Sequence, residues 1–216
     1  MPAPTFALLN ETALICTLPP PASLEKQRKL WAFADVVREW PGVSEAVVGM
    51  NNLTVFTGYE TDLDELAGKM KRWWPRIRPG AHQGRLQEIA VVYGGDFGED
   101  LAEVAAFHRR TPAEIVKQHT APLYTVFMMG FQPGFPYLGG LPDSLHTPRR
   151  AVPRTQVPAG SVGIGGSQTG VYPFASPGGW QIIGRTEAAL FQTGISPPTL
   201  LSAGDTVRFV AERIIL

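Results

Sequence analysis

Cysteine is almost missing from this chain: Cys16 is the single one in 216 residues. That excludes an intramolecular disulfide and any site built from several thiolates. Its setting, the apolar run ALICTL, suits a buried structural thiol. An excess of one charge sign is missing too. Lys and Arg total 19 and Asp and Glu total 19, so the whole-chain balance gives nucleic acid no electrostatic support. No apolar run approaches the roughly 18 residues that a membrane helix requires. The N-terminus has no basic region leading into a long apolar stretch, so it does not read as a signal peptide. The expectation is a soluble, cytoplasmic protein, of a size for one large domain or two small ones.

Familiar catalytic signatures are also lacking. The segment Ser161-Val162-Gly163-Ile164-Gly165-Gly166 has no GxxxxGK[ST] pattern and no helical pattern after it, which argues against a phosphate-binding loop or a dinucleotide fingerprint. It reads as a glycine-rich hairpin. Ser161, Ser167 and Ser176 lie outside any GxSxG elbow. The acids show neither a carboxylate pair nor an EF-hand spacing, so no metal is expected. The histidines are His82, His108, His119 and His146. His119, ending a predicted helix, is the best acid/base candidate; a partner for the helix C-terminal dipole is the alternative.

What the chain does have is a dense block of turns. From Gly130 to Gly184 there are 12 Gly and 8 Pro in 55 residues, together with Phe131, Phe135, Tyr137, Tyr172, Phe174 and Trp180. Disordered segments are poor in aromatics, so the glycines and prolines are expected to fix tight turns between short packed strands. Tyr137 and Trp180, with polar handles, are candidates for a pocket wall, and core packing is the alternative. Between Ile115 and Thr186 one acid, Asp143, faces Lys117, Arg149, Arg150, Arg154 and Arg185. Guanidinium groups beside glycine amides suit a carboxylate or phosphate. Otherwise these arginines are solvated or pair with distant acids.

The coarse pattern is α+β. Ala13–Leu18 reads as a strand, Ser23 as the cap of a helix carrying Leu30, Trp31, Ala34 and Val37, and Trp40-Pro41-Gly42 as its stop. Val43–Met50 and Leu53–Thr57 read as a hairpin, and Asp62 with Glu65 as a capping box for a second helix. This β-α-β-β-α order, with a further strand possible, is that of a split βαβ, ferredoxin-like unit. Pro75–Gly84 is a linker candidate. Beyond it come a strand at Leu86–Tyr93, a short helix near Leu101, a helix capped by Thr111, and then many short strands ending with Thr206–Val210. That pattern suggests a barrel or sandwich.

The motifs GFQPGFPYLGGLP, PRR at 148–150 with PR at 153–154, VPAGSVGIGGSQTGVYP and SPGGWQIIGRT resemble the KipI family. Its members include the B subunit of a 5-oxoprolinase and are often labelled allophanate hydrolase subunit 1. YGGDFGEDLAEVA, LLSAGDTVRFV and NNLTVFTG extend the likeness over nearly the whole chain. The resemblance implies a ferredoxin-like α/β sandwich at 1–84 and a cyclophilin-like β-barrel at 85–216. It implies a KipA-like protein and a LamB/YcsF-like protein as partner subunits in an ATP-dependent opening of 5-oxoproline to glutamate. ATP is then used by the complex, with no cofactor bound by this chain alone. Other family roles are inhibition of a sensor histidine kinase and a place in an allophanate or urea pathway; the amidase Ser-Ser-Lys signature is missing. On the oxoprolinase reading, Arg154 and Arg149 take the substrate carboxylate and Gln168 and Thr169 the lactam amide. Tyr137 and Trp180 form the wall, and His119 is the acid/base. Glu99 stands where the family pattern has Pro, and Gln192 where it has Asp.

Overall fold

The computed structural model describes residues 3–80 and 84–216, which divide into two compact units, residues 1–82 and 83–216. In the first, strands β1 (Thr5–Asn10) and β2 (Ala13–Thr17) lead into helix α1 (Leu24–Arg38). Strands β3 (Val43–Gly49) and β4 (Asn52–Thr57) and helix α2 (Leu63–Trp73) follow. Ser23 accepts the Lys26 N–H and Asp62 accepts those of Asp64 and Glu65, so both helices start where short polar side chains replace missing backbone partners. The sheet is antiparallel throughout, in the order β1-β2-β4-β3. Leu14, Leu53 and Val55 of the sheet pack with Leu30, Phe33 and Met70 of the helices. Cys16 is fully buried in the same core, and burial pushes its thiol up to about 12, so it is inert at neutral pH.

Two expectations change here. The terminal strand of a ferredoxin-like unit does not follow α2. Its place beside β2 is taken by β1, which comes first in the chain and went unread because TFALLN is exposed along most of its length. The Pro75–Gly84 linker also begins too early. Trp74 and Ile77, each 5% exposed, belong to the core of the first unit. Residues 81–83 of that segment lie outside the described residues, and so does His82.

The second unit contains β5 (Leu86–Gly94), α3 (Leu101–Phe107), α4 (Pro112–Thr120), β6 (Tyr124–Met129) and β7 (Pro136–Gly139). Next come β8 (Arg154–Val157), β9 (Ser161–Gly165), β10 (Gln168–Val171), β11 (Ser176–Gly178), β12 (Gln181–Arg185) and β13 (Thr206–Ile215). Seven of these strands close a barrel in the order β10-β7-β6-β13-β5-β12-β9, while β8 and β11 pair apart from it. Thr111 and Glu114 form a reciprocal capping box at the start of α4, as their spacing predicts. The last strand runs five residues past Val210, to Ile215, all along β5. Ile89, Val91, Val126, Leu138, Val162, Ile164, Val207 and Phe209 fill the barrel.

Candidate functional site

Alternation along β9 and β10 decides what lies inside the barrel and what lies on it. Thr169 pairs with Ile164, whereas Gly170 pairs with Gly163 and Gln168 with Gly165, so the glycines share the opposite face. Apart from Gln168 these positions carry no side chains, and the Trp180 indole lies against the glycines. A Cβ added to Gly165 would sit 2.4 Å from Trp180 Nε1, and one on Gly163 or Gly170 would come within 3.2 Å of other Trp180 atoms. Gly166, at φ +66°, makes the hairpin turn in the left-handed region. The glycines of the block therefore serve two purposes, turning the chain and admitting an indole to the backbone.

Around Trp180 the other aromatics stand edge to face. Phe135 is 5.5 Å from it, Tyr137 5.9 Å and Tyr172 6.4 Å, and the exposed Phe131 lies 5.4 Å from Phe135. With Pro177, Gly178 and Gly179 they enclose a pocket of about 200 Å³. Arg149 and Arg150 also line it, and among the described residues no carboxylate or histidine does. The Arg149 guanidinium is 5.9 Å from the Trp180 ring centroid and forms no ion pair or hydrogen bond among the described residues. Burial pushes the Tyr137 phenol above its ordinary pKa, and the nearby Arg149 charge opposes that shift. The Tyr172 phenol is raised by burial too, against the Trp180 backbone and Arg149. Hydroxyl donors, an unpaired guanidinium and apolar walls recognise a small anion with an apolar body.

Arg154 is not available to a substrate. Its Nη1 and Nη2 donate to Asp100 Oδ2 and Oδ1, both at 2.8 Å, and Nη2 also reaches Glu99 Oε2 at 3.2 Å. The bonds to Asp100 hold its guanidinium above its ordinary pKa. Pairing with distant acids, one of the readings left open, is what occurs; Glu99, the departure from the family pattern, supplies the outer acid. Arg150 Nη1 donates to Asp100 Oδ1 at 2.8 Å, and Arg185 lies over Phe97.

His119 and Thr169 are likewise corrected. His119 is fully buried inside the barrel, with Nδ1 2.9 Å from the Tyr93 hydroxyl and Nε2 2.9 Å from Thr169 Oγ1. Thr169 donates to the Gly163 carbonyl, so it accepts from His119 Nε2–H, and Nδ1 accepts from Tyr93. The ring stacks on Phe209 at 4.7 Å. Burial pushes its pKa down to about 3, leaving a neutral core histidine with no route to a ligand. Thr169, completely buried, spends its hydroxyl in the same network. Gln168 lies on the outer, glycine-bearing face by register, and its Nε2 is buried without a partner among the described residues.

The residue that sequence reasoning missed is Asp100. It sits at the start of α3, where GED-LAEV suggests a helix cap, yet its side chain makes no capping bond. The available signal was the shortage of acids among the arginines of 149–154, which required carboxylates from elsewhere in the chain. A second concavity, of about 440 Å³, lies across the 148–152 segment and includes Glu103, Phe107 and Gln181. Among the described residues there is no cluster of metal-ligating side chains and no helix long and apolar enough to cross a membrane.

Residues 4–201 match the family described as "Carboxyltransferase domain, subdomain C and D". The chain is 57% identical over 206 residues to the 5-oxoprolinase B subunit of Haemophilus influenzae, covering 95% of this chain and 97% of that protein. Identity to the 5-oxoprolinase B subunit of Escherichia coli O157:H7 is 49% over 207 residues, covering 95% of each. The solved urea carboxylase of Kluyveromyces lactis superposes with a TM-score of 0.81 over 99% of this chain and 22% of its own, at 18% identity; that likeness is one of fold. With the family match covering residues 4–201 and near-complete alignment with two proteins of one name, the chain belongs to the carboxyltransferase subdomain C and D family, among the relatives of the 5-oxoprolinase B subunit.

Proposed function

We propose that the chain is the B subunit of an ATP-dependent 5-oxoprolinase, acting with a KipA-like and a LamB/YcsF-like partner. The observation that carries this reading is 57% identity along nearly the full length of both chains to a protein of that name. The pocket supports it. 5-Oxoproline is a small apolar ring bearing one carboxylate, and the site offers aromatic walls, an unpaired Arg149 and no competing acid. Arg149 takes the carboxylate, Tyr137 and Trp180 bound the ring, and Gln168, with its unpartnered amide, is the remaining candidate for the lactam. Arg154, Thr169 and His119 have no part in binding.

Lactam opening is uphill on its own, and phosphorylation of the lactam oxygen is the use of ATP that makes C–N cleavage by water favourable. This chain carries no ATP signature, so that step belongs to its partners, and this chain presents the substrate. The ferredoxin-like and cyclophilin-like names for its two units are part of the same reading.

The test is 5-oxoproline-dependent ATP hydrolysis by the three subunits with and without this chain; turnover that does not depend on it overturns the proposal. In the complete assembly, Arg149→Ala is expected to raise KM for 5-oxoproline about tenfold or more, the scale of one charge-assisted bidentate contact. An unchanged KM would place the carboxylate elsewhere.

A further inference from the structure

We infer that Asp100 is a positioning residue: one buried carboxylate holds the Arg149–Arg154 loop and the Trp180 wall at the spacing that makes the pocket. The inference rests on the reading of that pocket as a carboxylate site. The Asp100 side chain is 2% exposed. Its Oδ1 accepts from Arg150 Nη1 and Arg154 Nη2, and its Oδ2 from Arg154 Nη1 and, at 2.6 Å, from the Ile182 backbone N–H. The Asp100 N–H returns a bond to the Ile182 carbonyl at 2.9 Å.

These bonds reach both walls of the site. Ile182 lies two residues beyond Trp180, at the start of β12, so fixing it fixes the chain that carries the indole. Arg150 and Arg154 bracket the loop opposite, which is tied to the same wall by Arg150 N–H to the Gly179 carbonyl at 2.7 Å and by pairing of Arg154 with Gly178. Among the described residues Arg149 forms no hydrogen bond or ion pair and only its approach to the Trp180 ring, so its place there follows that of its neighbour Arg150. A rigid supporting shell of this kind is what a preorganised binding group requires. Four donors satisfying one dry carboxylate also account for an acid being tolerated there.

A structural salt-bridge cluster and a positioning device predict different results. The chain has five tryptophans, of which Trp180 alone belongs to the second unit, so 5-fluorotryptophan labelling gives a resonance for the pocket wall, identified with Trp180→Phe. Arg150→Gln removes one arm and leaves Asp100 paired with Arg154; Asp100→Asn removes the charge at constant volume. Each folded variant is expected to move the Trp180 resonance and leave the other four in place. In the reconstituted complex, each is expected to raise KM for 5-oxoproline about tenfold with kcat within about twofold, the pattern of a misplaced binding group. Arg150→Lys, which restores a cation to Asp100, should recover part of that KM.

A wild-type Trp180 resonance and wild-type KM in Arg150→Gln would overturn the inference. So would a fall in kcat that follows the folded fraction at unchanged KM. Should Asp100→Asn fail to fold, Arg150→Gln decides alone. If Arg149→Ala leaves KM unchanged, the carboxylate reading of the pocket fails, while the Trp180 resonance still reports whether Asp100 sets the wall.

Discussion

A histidine at the end of a helix, just ahead of a candidate site, invites an acid/base role, and burial removes it. Protonating His119 places a charge in a dry barrel between Tyr93, Tyr124, Thr169 and Phe209, and its pKa falls from 6.5 to about 3. The consequence is for stability. A group whose folded pKa lies below its unfolded one contributes in full above the unfolded value, and that contribution is lost as pH falls toward the folded value. Between pH 7 and pH 4 the loss should be roughly 3 kcal/mol from this group. His119→Gln, which can bond to Tyr93 and Thr169 without titrating, should lack that share of the acid slope. Urea unfolding of both proteins at the two pH values checks it; parallel slopes would show that His119 is not the group responsible.

At the scale of the element, the β9–β10 hairpin separates the two uses of glycine. Gly166 faces open space, so Gly166→Ala should cost about 1–2 kcal/mol for the left-handed backbone and leave binding alone. Gly165→Ala drives a Cβ into an indole held by Phe135, Tyr137 and Tyr172, and should cost about 1–3 kcal/mol while also raising KM. Urea unfolding with steady-state kinetics of the complex reads both; a KM effect at Gly166 and none at Gly165 would refute the assignment. The same hairpin shows what was legible beforehand. A two-residue turn in a glycine-rich run can be read from neighbouring residues, as can the caps Ser23 and Thr111, because their causes are local. The indole floor could not be read, since Gly163, Gly165 and Gly170 meet a residue ten or more positions further on. Arg154 was misassigned for the same reason: its acid lies 54 residues upstream, in a segment that resembles an ordinary helix start. Strand β1 was hidden by its exposure, which removes the alternation that marks a half-buried strand.

At the scale of the whole molecule, the barrel is closed by its most distant pieces of chain. β13 runs parallel to β5 from Thr206 opposite Leu86 to Ile215 opposite Gly94, and its first residues pair with Thr125 and Tyr124 of β6. Asp205 fixes this closure by accepting from the backbone N–H groups of Arg85 and Ser202. Val207 and Phe209 enter the core from the same strand, and Phe209 carries the His119 stack. Removing residues 206–216 would therefore bare β5 and β6 together and open the core, with no neighbouring strand to take over the pairing. The core of the first unit is built from residues of its own, between Phe6 and Ile77. Truncation after Asp205 should collapse the 5-fluorotryptophan resonance of Trp180 to its unfolded position, with those of Trp31, Trp40, Trp73 and Trp74 unchanged. A native Trp180 resonance in the truncated chain would mean that the pocket stands without a closed barrel, and that the wall is held by Asp100 and β12 alone.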